Sequence, residues 1–217
     1  MRVLITGTSR GIGRATAEKF LKQGHSVFGI DIEASAINSS NYEHYCADVR
    51  FPAQFPDIED TEILVNNAGV QLMCMDDIDI NLKGMIYVTQ KYGLQKNIKS
   101  IVNMASTSAH NGAEFPEYAA SKGGVLAYTK NIAQSVAQWG ATCNSISPGG
   151  VLTESNQHII SDSKLLEAVY NETLLGKWAA VEEIAEWIYF MSVINKSMTG
   201  QDIIIDNGEL AKFNFIW

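Results

Sequence analysis

The sequence predicts an α/β fold, an open and doubly wound parallel sheet of about seven strands with helices on both faces. Three observations predict it. Short apolar runs alternate with helical stretches along the whole chain. The first run, RVLIT, leads into the glycine-rich turn TGTSRGIG, which opens a helix. Inner runs such as KSIVNMAS are almost unbroken apolar segments, as a strand covered on both faces requires. At 217 residues and 46% hydrophobic, the chain is expected to form one domain over residues 1–217, with residues 154–176 as a flap inside it.

Taken in order, RVLIT is a strand, ATAEKFLKQG a helix closing at Gly24, and HSVFGID a strand ending at Asp31. Glycines at Gly7, Gly11 and Gly13 suit a tight turn, close approach of a pyrophosphate and close helix–strand packing. The free N–H groups of the helix start would receive the phosphates. Asp31 stands where it can accept hydrogen bonds from both hydroxyls of an adenosine ribose, and it would repel a 2′-phosphate; this favours NAD. Arg10, in the same turn, could welcome that phosphate and keeps NADP open.

HYCADV reads as a short third strand with Asp48 at its end. RFPAQFPDIEDT, broken by Pro52 and Pro56, has room for a turn or two of helix. EILVNNAG is the fourth strand, followed by a helix carrying Asn81 and curtailed at Gly93. KSIVNMAS is the fifth strand. Pro116 and Gly140 bound a long helix. ATCNSISPGGV is the sixth strand, and Pro148, Gly149 and Gly150 forbid regular structure in its exit loop. The flap follows, with a helix around SDSKLLEAVYNETL, then the helix AAVEEIAEWIYFMSVI and a last strand in QDIIIDNG. The apolar tail FNFIW is expected to pack on a neighbour or over the site. Gly7, Asp31, Asp48, Asn67, Ser106 and Gly149 all fall at the carboxyl edge of such a sheet, where ligands bind.

Tyr118 and Lys122 lie four residues apart on the long helix and therefore share a face. A phenol titrates near ~10, and using it as a base at neutral pH needs a shift of ~3 units, about 4 kcal/mol. A positive charge ~5 Å away at an effective dielectric of ~20 supplies roughly 3 kcal/mol. Ser106 would add a neutral donor for a substrate oxygen, with Ser108 an alternative.

TGTSRGIG, the Asp48-Val49 pair, NNAG at 66–69, Asn81, Ser106, the YxxxK spacing of Tyr118 and Lys122, and NSISPGGVLT together resemble the short-chain dehydrogenase/reductase family, a plain Rossmann-fold branch, over nearly the whole chain. The resemblance implies hydride transfer between a nicotinamide cofactor and a secondary alcohol or ketone. Tyr118 would be the acid/base, Lys122 would bind the nicotinamide ribose and lower the phenol pKa, Ser106 would orient the substrate oxygen, and Asn81 would hold a water in a proton relay. Cofactor contacts would come from Gly7, Ser9, Arg10, Gly11, Ile12, Gly13, Asp31, Asp48, Val49, Asn67, Ala68, Gly69, Pro148, Gly149, Val151 and Thr153. Relatives pair long helices across a symmetry axis, so a homodimer or homotetramer is implied.

Other classes are disfavoured. The net charge of −8, with no Lys/Arg cluster, argues against nucleic-acid or anionic-membrane partners. No apolar run approaches a membrane span and no cleavable leader is evident, so a cytoplasmic protein is expected. Cys46, Cys74 and Cys143 form no CxxC pair and read as small core residues. No metal is expected, since Tyr118 and Lys122 already provide acid/base chemistry. Gln71, Met73, His110, Asn111, Glu114, Glu154 and Gln157 are candidate substrate-lining residues, a polar set suited to a polyol or sugar acid. Alternatives are an NADPH-dependent carbonyl reductase and a catalytically idle dinucleotide-binding regulator.

Overall fold

The computed structural model describes residues 1–113 and 115–213. Seven parallel strands form the main sheet. They are β1 (Arg2–Thr6), β2 (Ser26–Asp31), β3 (Tyr42–Cys46), β4 (Ile63–Asn66), β5 (Ser100–Met104), β6 (Thr142–Pro148) and, after a small separate pair, β9 (Asp202–Ile205), in the spatial order β3-β2-β1-β4-β5-β6-β9. The chain leaves β1 toward one edge and returns at β4 to build the other. The switch point therefore lies between β1 and β4, the place where such sheets open a ligand crevice.

Side-chain parity accounts for the double winding. Leu4 of β1, Leu64 of β4 and Ile101 of β5 join one core cluster, whereas their neighbours Val3, Ile5, Ile63, Val65 and Val102 join the other. Successive side chains of a strand point to opposite faces, so a strand apolar at every position buries both. Helices α1 (Gly11–Lys22) and α8 (Val181–Tyr189) cover the second cluster through Ala17, Phe20, Ile184 and Ile188. The first cluster is covered by α5 (Pro116–Val136) through Ile132, Ala133 and Val136, and by a continuous helical run over residues 76–93 through Val88 and Tyr92. That run consists of α2 (Asp76–Ile78), a π segment (Asp79–Gly84), α3 (Met85–Val88) and a second π segment (Thr89–Gly93). It ends at Gly93 as the sequence predicts. Pro116 starts α5, and Gly140, in the left-handed region at φ 69, follows its terminal 3-10 turn.

A buried polar ladder ties this layer to the sheet. Asn66 Nδ2 donates to Thr89 Oγ1 (2.9 Å) and to Asn103 Oδ1 (2.8 Å), and Asn103 Nδ2 donates to Thr129 Oγ1 (2.9 Å). Asn66 is thus a brace between β4, β5 and two helices.

Three details differ from the sequence reading. β3 begins at Tyr42 and ends at Cys46, so Asp48 lies two residues past the strand. Pro148, read from the sequence as part of the exit loop, is the last residue of β6 and pairs with Ile205, and the Gly149-Gly150 exit is followed by a short strand, β7 (Val151–Leu152), paired in parallel with β8 (Ala179–Ala180). The pair forms because Gly150, with no room for a side chain against Trp178, brings its carbonyl within 3.0 Å of the Ala179 amide. Cys46 and Cys74 are exposed, and only Cys143 is a core residue. Of the FNFIW tail, residues 214–217 lie outside the described residues; Phe213 is exposed. The flap contains α6 (Gln157–Ile160) and α7 (Ser163–Tyr170), the latter capped by Asp162 accepting from Lys164 and Leu165; α4 (Ser108–Asn111) is a single turn before α5. Among the described residues no helix is long and apolar enough to cross a membrane.

Replacing Asn103 tests the ladder. Asn103→Ala strands Thr129 and part of Asn66 and is expected to lower unfolding free energy by about 2–3 kcal/mol in urea melts, with little effect on the far-ultraviolet spectrum.

Candidate active site

Ser106 lies two residues beyond β5, buried, and its hydroxyl is close enough to the Tyr118 phenol to favour the ionised form. The Ser106 Oγ also accepts the Ser108 amide at 3.2 Å, so Ser108 enters through its backbone. Lys122, one helical turn past Tyr118, is 4% exposed; its Nζ donates to the Met104 carbonyl (2.8 Å) and lies 5.6 Å from the Tyr118 ring centroid. The end of β5 thus supplies a hydroxyl to one member of the pair and a carbonyl to the other.

Burial dominates the electrostatics. It pushes the Tyr118 phenol above its ordinary value, opposed by the neighbouring Ser106 hydroxyl and reinforced by the Asp77 carboxylate. Burial also pulls the Lys122 ammonium down to about 8, with Asp77 pulling the other way. The sequence reading expects Lys122 to lower the phenol. In the structure burial raises the phenol instead, and a further positive charge is needed to make the phenolate accessible near neutral pH.

Asn81 sits in the first π segment, buried, with both of its side-chain N–H donors used. Its Oδ1 accepts the Val70 amide (2.7 Å), and its Nδ2 donates to the Val70 carbonyl (2.8 Å) and to Ser121 Oγ (3.2 Å). The side chain is a clamp on the loop after Gly69. That loop lies close: a Cβ on Gly69 would come within 3.4 Å of Lys122 Nζ.

The glycine-rich turn is shaped for backbone approach. Gly7 adopts φ 76, and a Cβ on Gly13 would lie 1.9 Å from the Gly7 carbonyl oxygen, so neither position admits a side chain. Asn67 crosses the switch point, donating from Nδ2 to the carbonyls of Thr6 (3.0 Å) and Gly7 (3.1 Å); Thr6 Oγ1 accepts the amides of Asn67 and Ala68. At the start of α1 no side chain of Arg10 caps the helix and no acid occupies the first turn. Instead the Gly11 amide donates to Glu154 Oε2 at 3.1 Å. An anionic oxygen already stands where a phosphate oxygen would bind, and this donor set fits a dinucleotide.

Asp31 accepts the amides of Ser9 (2.9 Å) and Glu33 (3.0 Å), and Arg10 forms an ion pair with Glu33 at 3.2 Å. Arg50 forks onto Asp48 (2.7 Å) and holds its carboxyl below the usual range. Ile12, Val49 and Val151 direct their side chains into the core, leaving only backbone for a ligand. Pro148 accepts the Thr107 amide (3.0 Å), the Gly149 amide donates to Ile205 (3.0 Å), and Thr153 packs 3.6 Å from where a Gly11 Cβ would stand.

Of the substrate-lining candidates, Gln71, Met73, Asn111 and Gln157 are exposed. His110 is committed to Asp202 (2.9 Å) and Ser147 (3.2 Å), Glu154 to Gly11, and Glu114 lies outside the described residues. Sequence reasoning missed two acids. Asp77 is fully buried beside the pair, hidden in the run DDID that looks solvated. Glu209 reaches the sixth strand's exit, its Oε2 2.7 Å from where a Gly149 Cβ would stand, and burial raises its pKa.

Comparisons with known proteins agree with this geometry. Residues 7–209 match the family described as enoyl-(acyl carrier protein) reductase. The 3-oxoacyl-(acyl-carrier-protein) reductase FabG of Thermotoga maritima is 30% identical, over 94% of this chain and 96% of that protein. A chain from Agrobacterium tumefaciens described as a 2-deoxy-d-gluconate 3-dehydrogenase, with NADP bound, superimposes with a TM-score of 0.88 at 28% identity, over 97% of this chain and 96% of the other. A 4-hydroxyisoleucine dehydrogenase complexed with NADH gives 0.86 at 26% identity, over 98% and 99%.

Two outcomes follow from the electrostatics. In the unfolded chain Lys122 titrates near 10.5, in the fold at about 8, so its burial penalty is complete below pH 8 and fades as pH rises toward 10.5. Lys122→Met is therefore expected to gain on the order of 2–3 kcal/mol at pH 7, read as a higher melting temperature, with the gain shrinking by pH 10. Glu154→Gln removes a charge that competes with phosphate for Gly11 and should tighten NADH binding about two- to fivefold in a fluorescence titration.

Proposed function

The chain belongs to the short-chain dehydrogenase/reductase family and is an NAD(P)-dependent oxidoreductase acting on CH–OH or carbonyl groups, and from that premise we propose that it moves a hydride between NAD(H) and a secondary alcohol or ketone, with Tyr118 as the acid/base. The observation that carries this reading is the pairing of Tyr118 with the buried Lys122 beside Ser106, with Lys122 Nζ held by the Met104 carbonyl and 5.6 Å from the phenol ring. When bound, the nicotinamide supplies the hydride acceptor or donor. Ser106 holds the substrate oxygen. In oxidation Tyr118 Oη takes the hydroxyl proton and releases it toward solvent; in reduction it returns one to the carbonyl oxygen. Lys122, its Nζ 5.6 Å from the phenol ring, stabilises the phenolate and would hold the nicotinamide ribose of a bound cofactor. The cationic ring of an oxidised nicotinamide would supply the further positive charge that the buried phenol requires. Asn81 serves by clamping Val70 and, through it, the loop beside Lys122.

NAD is favoured over NADP because two carboxylates, Asp31 and Glu33, stand on the adenosine side, and Glu33 neutralises the one nearby guanidinium, Arg10. The exposed Gln71, Asn111 and Gln157 support a hydroxylated small molecule as substrate. Exposed Trp187, Phe190, Ile194 and Ile204 support a homo-oligomer. We take residues 1–217 as one cytoplasmic unit in which 154–176 closes over the substrate. A second reading, an NADPH-dependent carbonyl reductase, is favoured by the likeness to FabG and to the NADP-bound structure.

Parallel titrations with NADH and NADPH at one ionic strength decide between the two. NADH is expected to bind at least tenfold more tightly, and Asp31→Ala should narrow that ratio; tighter NADPH binding would establish the second reading. Tyr118→Phe should lose turnover by roughly 10²-fold or more while keeping NADH affinity, assayed across sugar acids, polyols and 3-oxoacyl thioesters. Retained turnover in that variant would remove Tyr118 from the chemistry.

A further inference from the structure

Asp77 is the one carboxylate among the described residues with 0% exposure, and it has no part in the mechanism above. Burying a carboxylate is costly unless it is hydrogen-bonded and charge-compensated. Its hydrogen bonds go to a loop: Oδ1 accepts the Leu72 amide (2.8 Å) and Oδ2 the Met73 amide (3.0 Å). Met73 adopts φ 57, a left-handed conformation unfavourable for its side chain, held there by this bond. One turn further on, Asn81 takes both polar groups of Val70. Residues 77 and 81 therefore form a two-rung clamp on one face of the helical run, fastening the loop over residues 70–73.

The same face meets α5. Asn81 reaches Ser121, the neighbour of Lys122, and Asp77 acts through space on Tyr118 and on Lys122. These two are the titratable groups facing it from α5. On its own element, Asp76 and Asp79 are occupied outward by Arg50 and Lys83. Lys122 Nζ has a neutral carbonyl as its hydrogen-bond acceptor, so a compensating charge must come from elsewhere.

We infer that Asp77 is a positioning residue of this reaction: its carboxylate ties the loop beside the site to the helical run and places a buried negative charge opposite the Tyr118–Lys122 pair. The anion keeps Lys122 protonated in a dry setting, at the expense of opposing phenolate formation. The inference rests on the reading of Tyr118 and Lys122 as the acid/base pair.

The test reads the Lys122 midpoint directly, without a substrate, by following its labelled ε-carbon in NMR across pH and assigning the signal by its loss in Lys122→Met. In Asp77→Asn the midpoint is expected to fall by about one pH unit below wild type, and in Asp77→Glu, which keeps the charge, to stay near it. A merely structural tether moves it the other way, because an opened loop wets Lys122 and returns it toward the ordinary lysine value. A rise, or no movement, in Asp77→Asn overturns the inference. If Asp77→Asn does not fold, the same pair of measurements is made in the Met73→Gly background, where the left-handed conformation carries no strain. Failure of the acid/base reading would show separately, as turnover retained in Tyr118→Phe.

Discussion

Covering the central strands on both faces leaves polar chemistry one place to go. Val3, Leu4 and Ile5 of β1, and their counterparts in β4 and β5, are fully buried, alternating between two helical layers. No side chain on either face of these strands can hold a polar ligand without opening a core. The carboxyl ends are free of that restriction, and there the chain places its glycine-rich turn, the Asn67–Gly69 loop, Ser106 and the Pro148–Gly150 exit. The reversal of strand order between β1 and β4 then parts the loops and makes the crevice.

Within the crevice the dominant tension is between burial and charge. Placing Tyr118 and Lys122 away from water gives them fixed geometry but works against both of their ionised forms. The end of β5 eases this with a Ser106 hydroxyl and a Met104 carbonyl, groups that orient without neutralising. Such a site is poised for a ligand that brings its own positive charge. It also accounts for a lysine whose burial costs stability, the expected trade between a working site and a relaxed fold.

The anionic oxygens are arranged on the same logic. Glu154 rests against the Gly11 amide and Asp31 gathers the amides of Ser9 and Glu33, so two backbone donors of the turn, Ser9 and Gly11, already have carboxylate partners. A dinucleotide entering this turn exchanges one anion for another at Gly11. At Asp31 it meets a carboxylate already preoriented.

The sequence by itself determined the layered α/β fold, the strand-turn-helix at its start, and the residues able to carry the chemistry, because apolar period, glycine and proline placement and the four-residue Tyr-Lys spacing are local properties of the chain. It also led to errors, in which Cys46 and Cys74 read as core residues, Asp48 as the end of β3, and Pro148 as part of an irregular loop. Only the tertiary structure decided those, along with the fate of Asn81's amide, the sign of the Tyr118 shift, and the burial of Asp77 within a run of acids that looks solvated. Each depends on which helix packs against which loop, and desolvation, the strongest term at this site, exists only once that packing has excluded water.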